Sequence, residues 1–258
     1  MSFDLIKRLN EDKAKVFTLT KGTVLDTTDS FCMFALDDSG SMGHLYRDGY
    51  VQRLTERLLP IAMAFDDNGE MEVYQFANGV SKAKAPATSA NIAGYVGRDI
   101  RHMGGGTAYA PALRQILNDY LEMSGQKAGA GASTLLGKVG SFFGGGKAQT
   151  TVNQNDKILP GFCIFISDGE NFDTEDTRRV LIEASNYGLF FATVGLGSGR
   201  FGSLNDMDTM TGRKRDNASF FSVTPQQLET MSAEQFLGGL LKEYPAFVAK
   251  AKADGIIA

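Results

Sequence analysis

Phe31-Cys32-Met33-Phe34-Ala35-Leu36-Asp37-Asp38-Ser39-Gly40-Ser41 carries an unbroken apolar run straight into a carboxylate and two hydroxyls spaced D-x-S-x-S. An apolar run of this length, closed by turn-forming residues, reads as a strand buried on both faces that emerges into a tight loop. A second run, Phe162-Cys163-Ile164-Phe165-Ile166, ends the same way in Ser167-Asp168-Gly169-Glu170, and Gly104-Gly105-Gly106-Thr107 lies between the two. Three separate loops thus offer hard oxygen ligands.

Outward from these runs, apolar strand-like segments alternate with helical patterns, which predicts an α/β fold: a three-layer, doubly wound, mostly parallel sheet with helices on both faces. Strands are expected near 31–37, 71–76, 161–167, 189–195 and 219–223, with a short edge hairpin around 79–86. Val51, Leu54, Leu58, Ala62 and Phe65 recur at helical spacing and predict a helix over Asp48 to Phe65, kinked at Pro60, which lacks a backbone donor. Similar stripes cover Ala110 to Met123, Thr174 to Tyr187 and Ala233 to Ala253, with Pro245 placed to break the last in two. Residues 1–28 read as an appendage, a short helix followed by an extended Val16-Phe17-Thr18-Leu19, and residues 29–258 as one domain. Within that domain, 124–156 is dominated by Gly, Ala, Ser, Thr and Gln and reads as a flexible insertion. Inside it, the apolar positions 135, 136, 139, 142 and 143 of segment 134–143 describe either a loop with a sticky patch or a segment that folds against a membrane surface or partner.

Composition narrows the function. The chain has 258 residues, 43% of them apolar, enough for an ordinary core. A net charge of -4 gives no electrostatic reason to expect nucleic acid, and the cluster Arg213-Lys214-Arg215 reads as a solvated loop. No apolar stretch approaches the ~20 residues of a membrane span, and the start lacks the charge pattern of an export signal, so the expected location is the cytoplasm. Cys32 and Cys163 each precede a strand-end aspartate by five residues. That spacing predicts that they lie at similar height on one face of neighbouring strands, as buried, reduced thiols.

In doubly wound sheets, ligands gather at the carboxyl ends of the strands where strand order reverses. Asp37, Ser39, Ser41, Thr107 and Asp168 converge there, and hydroxyl and carboxylate oxygens suit magnesium, with manganese or calcium as alternatives, better than zinc. The glycine triplet lets its loop approach closely enough to present Thr107. Two carboxylates leave the ion attractive to an anion, such as a carboxylate from another protein.

Other chemistries fit less well. Gly197-x-Gly199-x-x-Gly202 matches a dinucleotide fingerprint but follows a late strand and lacks the downstream acid. Gly145-Gly146-Lys147-Ala148 lacks the Ser or Thr of a phosphate loop, and Ser39 is not in a nucleophile elbow. A metal-dependent phosphatase using Asp37 as nucleophile is a fairer alternative, but Ser39 occupies the place where a second carboxylate belongs. A scaffold in which the metal only ties loops together also stays open. No enzyme is expected.

These residues carry a resemblance. The pattern Asp37-x-Ser39-x-Ser41, then Thr107, then Asp168 resembles the metal-ion-dependent adhesion site (MIDAS) of von Willebrand factor type A (vWA) domains, which are Rossmann-like. Asp48-Gly49-Tyr50-Val51-Gln52, Glu56-Arg57-Leu58-Leu59-Pro60, Phe65-Asp66-Asp67-Asn68-Gly69, Gly105-Gly106-Thr107-Ala108-Tyr109-Ala110-Pro111 and Leu241-Lys242-Glu243-Tyr244-Pro245 are similar to the vWA domain of bacterial tellurium-resistance TerF-type proteins. The resemblance implies direct contact of Ser39, Ser41 and Thr107 with the metal, and contact of Asp37 and Asp168 through water. It further implies a partner's Glu or Asp in the sixth position, movement of the Thr107 loop and last helix on binding, and an adaptor role among Ter-type stress-response proteins. Residues 1–28 are too few for the TerD-like calcium domain that often precedes this unit, so no calcium role of that domain is implied.

Overall fold

The structure, a computed structural model, describes residues 3–126 and 158–258. The 134–143 segment and nearly all of the 124–156 insertion lie outside the described residues.

Six strands form one sheet in the order β3-β2-β1-β4-β5-β6: β1 (Phe31–Asp37), β2 (Glu72–Phe76), β3 (Val80–Lys82), β4 (Gly161–Ser167), β5 (Leu189–Leu196) and β6 (Ala218–Val223). Every pairing is parallel except β2 with β3, the edge hairpin. All residues of β4 and β5 are buried, as their continuous apolar sequences require of strands covered on both faces. One face is packed by α1 (Phe3–Thr20), α3 (Tyr50–Phe65), α8 (Pro225–Thr230), α9 (Ala233–Leu241) and α10 (Tyr244–Ala253). The other is packed by α5 (Ala110–Met123), α6 (Thr174–Ala184) and α7 (Gly202–Thr209). Two short helices, α2 (Gly43–Arg47) and α4 (Tyr95–Arg98), sit in the connections. Strand order reverses at β1, which has β2 on one side and β4 on the other.

The breaks between helices follow local chemistry. Gly49, at φ 77°, takes the left-handed turn that separates α2 from α3, two residues later than the stripe predicts. The α3 helix then runs uninterrupted through Pro60, and Pro245 sits in the first turn of α10, where its missing N–H costs nothing.

Three expectations are corrected. Residues 16–19 are not extended: α1 runs unbroken over 18 residues, because Leu9, Asp12, Val16 and Thr20 bury one helical stripe against α3 and α9, and that packing overrides the β preference of Val16 to Leu19. The cysteines lie on opposite faces of the sheet. Met33 rather than Cys32 pairs with Cys163, so β4 is displaced by one residue relative to the aspartate-to-aspartate alignment, and a one-residue offset exchanges faces. Both thiols are free and burial pushes both pKa values up, which leaves them unreactive. Finally, Arg215 is only 3% exposed. Its guanidinium donates to the carbonyl of Ser185 at 2.7 Å, just past the end of α6, and pairs with Asp254 at 3.2 Å, so it ties two helix ends together.

Candidate metal centre

The carboxyl ends of β1 and β4 are adjacent, and the loops that leave them meet. Continuing the register by one residue sets Asp37 beside Ser167 and leaves Asp168 one residue further out. Asp37 is fully buried, and both its oxygens are engaged: Oδ1 accepts from the amide of Ser39 at 2.7 Å and Oδ2 from the hydroxyl of Ser167 at 2.5 Å. The first of these bonds folds the D-x-S turn back on itself. Burial pushes the Asp37 pKa up and the nearby charge of Asp168 adds to the rise, while the Ser167 and Ser39 hydrogen bonds oppose it. Ser39 is buried, with its Oγ 3.1 Å from that of Ser41, and Ser41 donates to Oδ1 of Asp168 at 2.8 Å. A chain of oxygens therefore runs from Ser39 through Ser41 to Asp168, beside the turn held by Asp37.

Thr107 arrives on the third loop. Its backbone carbonyl accepts from the amide of Phe172 at 3.1 Å, and the next residue, Ala108, donates to Ala77 at 2.8 Å. The glycine stretch joins the first loop where the amide of Gly40 donates to the carbonyl of Gly105 at 3.0 Å. Gly106 is confined: a Cβ there would lie 2.5 Å from Oδ1 of Asn78 and 3.3 Å from the ring of Phe172. The structure links Asp37, Ser39, Ser41 and Asp168 through their own atoms or the turn they share, whereas Thr107 is tied through its backbone carbonyl to Phe172, on the loop that follows Asp168.

Several residues that hold this arrangement were not singled out from sequence. Ser167 faces Asp37, and the Tyr109 hydroxyl donates to the carbonyl of Gly169 at 2.7 Å. Glu170 accepts from the amides of Gly202 and Ser203 and from the Ser203 hydroxyl; that last bond leads in holding its pKa down. Asp173 accepts from the amides of Tyr109 and Ala110 at 2.9 and 2.8 Å, fastening the start of α5 to the β4 loop. Asp38 binds His102. Their only sequence signal is position beside the motif; their partners are distant in the chain.

The donor set fits a hard divalent cation. Among the described residues, no Lys, Arg or His forms an ion pair with Asp37 or Asp168, and a buried carboxylate without a cation is costly. Nor do three His, Cys, Asp or Glu side chains gather anywhere among the described residues, so a cation here would rest on hydroxyls as well as carboxylates. Such oxygens match magnesium, manganese or calcium chemistry. Among the described residues, no helix is long and apolar enough to cross a membrane.

Comparison with known proteins agrees with this architecture. The model of the vWA-TerF-like family, described as the vWA found in the TerF C terminus, matches residues 31–130 and 147–257. The uncharacterized protein YcbR of Bacillus subtilis (strain 168) is 30% identical over 228 residues, covering 86% of this chain and 79% of YcbR. Among solved structures, proximal thread matrix protein 1 of the mussel byssus superposes with a TM-score of 0.54 at 17% identity, over 83% of this chain and 48% of its own. A von Willebrand factor type A protein from Catenulispora acidiphila gives 0.53 at 14% identity, over 83% and 43%. The chain thus spans less than half of either structure, and at these identities the likeness is one of fold. With the family model covering most of its length and the strand order and site loops in place, the chain belongs to the vWA-TerF-like family.

Proposed function

We propose that this chain is a metal-dependent protein-binding module rather than an enzyme. Asp37, Ser39, Ser41, Thr107 and Asp168 hold a divalent cation, magnesium by preference, and a Glu or Asp of a partner protein completes its coordination. The observation that carries this reading is the run of oxygens from Ser39 through Ser41 to Asp168 beside a buried Asp37 that has no cationic side chain on it among the described residues. A structure of the mussel byssus protein, at a TM-score of 0.50, has a zinc-occupied MIDAS motif, which supports a metal at this place in the fold; the hydroxyl-rich donors here favour a harder ion. Complete burial of Asp37, with both oxygens engaged, speaks against its use as a phosphatase nucleophile, which must reach its substrate.

Met103 and Phe172, on loops that border the site, are 81% and 69% exposed. They offer apolar contact to a partner on either side of its carboxylate. Membership of the TerF-like family supports an adaptor role in a bacterial tellurium-resistance or stress-response system, with Ter-type proteins as partners and the cytoplasm as the location.

Capture of partners from native lysate on immobilised protein tests the proposal, comparing magnesium with EDTA and wild type with Thr107→Ala. A protein retained only by wild type in magnesium is the expected result. Identical profiles under all four conditions would remove the metal from recognition. A Thr107→Ala variant that loses thermal stability but keeps its partner would instead make the metal a structural tie.

A further inference from the structure

We infer that Asp38 and His102 form a latch that fixes Thr107 at the metal centre, making His102 a positioning residue for the cation; this rests on the metal-site reading above. Thr107 is carried by residues 101–107, which have no regular secondary structure. The three residues before it are glycines, two of them at φ 77° and 143°, which without side chains cannot hold a conformation of their own. The position of Thr107 therefore depends on what pins the segment at each end. Behind Thr107 the pins are the Phe172 and Ala108 backbone bonds already described. Ahead of it the segment is held at several points: Gln75 donates to the carbonyl of Arg101 at 3.0 Å, the carbonyl of Gly105 accepts from the amide of Gly40 at 3.0 Å, and the amide of Gly106 donates to Oδ1 of Asn78 at 3.2 Å. The side chain by which the segment itself grips the turn of Ser39 and Ser41 is His102.

Asp38 stands between Asp37 and Ser39, on the turn that carries the proposed ligands. Its buried carboxylate accepts from Nδ1 of His102 at 2.9 Å and from the amide of Met103 at 3.0 Å. The imidazole is stacked on Tyr46, with ring centroids 4.8 Å apart, and the Tyr46 hydroxyl donates to the backbone carbonyl of Asp37 at 3.2 Å. Gly43 leaves room for the ring, since a Cβ there would lie 3.0 Å from Nε2. One histidine thus joins the loop of Thr107 to the turn of Ser39 and Ser41 through a hydrogen bond and a ring contact. With His102 removed, Asp38 keeps its backbone bond from Met103 and the glycines keep their bonds to Gly40 and Asn78, but the side-chain grip on the turn is lost. Because metal ligands depend on such outer contacts for their orientation, loss of this one weakens the cation rather than the fold.

The test uses the whole chain and Mn2+ as the probe. Mn2+ affinity is measured by titration calorimetry for wild type, His102→Ala, His102→Asn and His102→Gln, and hydrogen exchange over residues 101–108 is followed in EDTA. An asparagine amide can stand in for the Nδ1 donor, whereas the glutamine amide falls near the Nε2 position. His102→Ala is expected to weaken Mn2+ about 10-fold or more and to speed exchange over 101–108, with little change in melting temperature. His102→Asn is expected to restore both and His102→Gln neither. Wild-type affinity in His102→Ala, or faster exchange with unchanged affinity, would overturn the positioning role. If His102→Ala does not fold, equal Mn2+ affinities in the Asn and Gln variants would overturn it. Should wild type itself fail to bind Mn2+, the metal reading falls, and unchanged exchange in His102→Ala would separately dispose of the latch.

Discussion

Replacing Ser167 by Ala removes one hydroxyl from the bottom of the site, which donates to Asp37 and accepts from the amide of Gly169 at 3.3 Å. Ser167 and Asp37 are both fully buried, and the Ser167 hydroxyl donates to Oδ2 of Asp37 at 2.5 Å. Water cannot take its place without a rearrangement of β1 and β4. A hydrogen bond to a charged group contributes about 1.5–3 kcal/mol, and a domain of this size loses about 2–4 °C of melting temperature per kcal/mol. The expected fall is therefore about 3–12 °C, measured by circular dichroism in EDTA near pH 7 so that bound cation does not mask it. Charge is the cause claimed, so a double-mutant cycle decides it. In an Asp37→Asn background, Ser167→Ala should cost about 1 kcal/mol or less, the contribution of a neutral bond. A Ser167→Ala protein that melts within a degree of wild type, or a cycle with no coupling, would refute the claim that this hydroxyl holds Asp37 as an anion.

Magnesium at about 100 times its dissociation constant should stabilise the wild type by about 2.7 kcal/mol, hence raise its melting temperature by about 5–11 °C; Thr107→Ala should show a clearly smaller rise at the same concentration. Gly161→Ala puts a Cβ 2.8 Å from both Leu189 Cδ1 and Tyr120 Cδ2 inside the buried β4, and chemical denaturation should show a loss of about 1–3 kcal/mol from overpacking. Arg215→Ala strips the Ser185 and Asn186 carbonyls of a charged donor and Asp254 of its buried partner; a loss of about 1.5–3 kcal/mol or more is expected by the same measurement. Glu243 has its pKa raised, by burial first and then by Asp208 and Asp216. Its neutral form therefore suits the fold better than its charged one, and its contribution is fully present below the ordinary carboxylate range and lost as pH rises through the raised pKa. Glu243→Gln should accordingly melt higher than wild type at pH 7, and the difference should close as pH falls below about 4.

The strands and the ligand candidates were legible because each is a local pattern. An apolar run bounded by D-x-S-x-S identifies β1 and its loop from eleven consecutive residues, and Pro245 announces the break between α9 and α10. What was not legible depends on residues far apart in the chain. The helical state of Val16 to Leu19 is decided by α3 and α9, not by those four side chains. Arg215 has the composition of a solvated loop, and only the carbonyls at the end of α6 and the carboxylate after α10 give it a buried place. His102 is 64 residues from Asp38, so nothing in its own neighbourhood marks it as part of the site.

The one-residue displacement of β4 that separates the cysteines also shapes the site. Had the two strand-end aspartates been aligned, Asp37 and Asp168 would have faced each other at equal depth, and two carboxylates at one level repel and hold on to protons. With Asp37 beside Ser167 instead, the deeper carboxylate receives a hydroxyl, and the outer one, only partly buried, receives Ser41. The inner acid is then committed to holding the turn and the outer acid is left near solvent, where an incoming carboxylate would arrive. Register, set by the pairing of apolar residues along β1 and β4, therefore decides which aspartate is structural and which is accessible. A one-residue shift of β4 into the aligned register would abolish that difference while leaving every proposed ligand in the sequence.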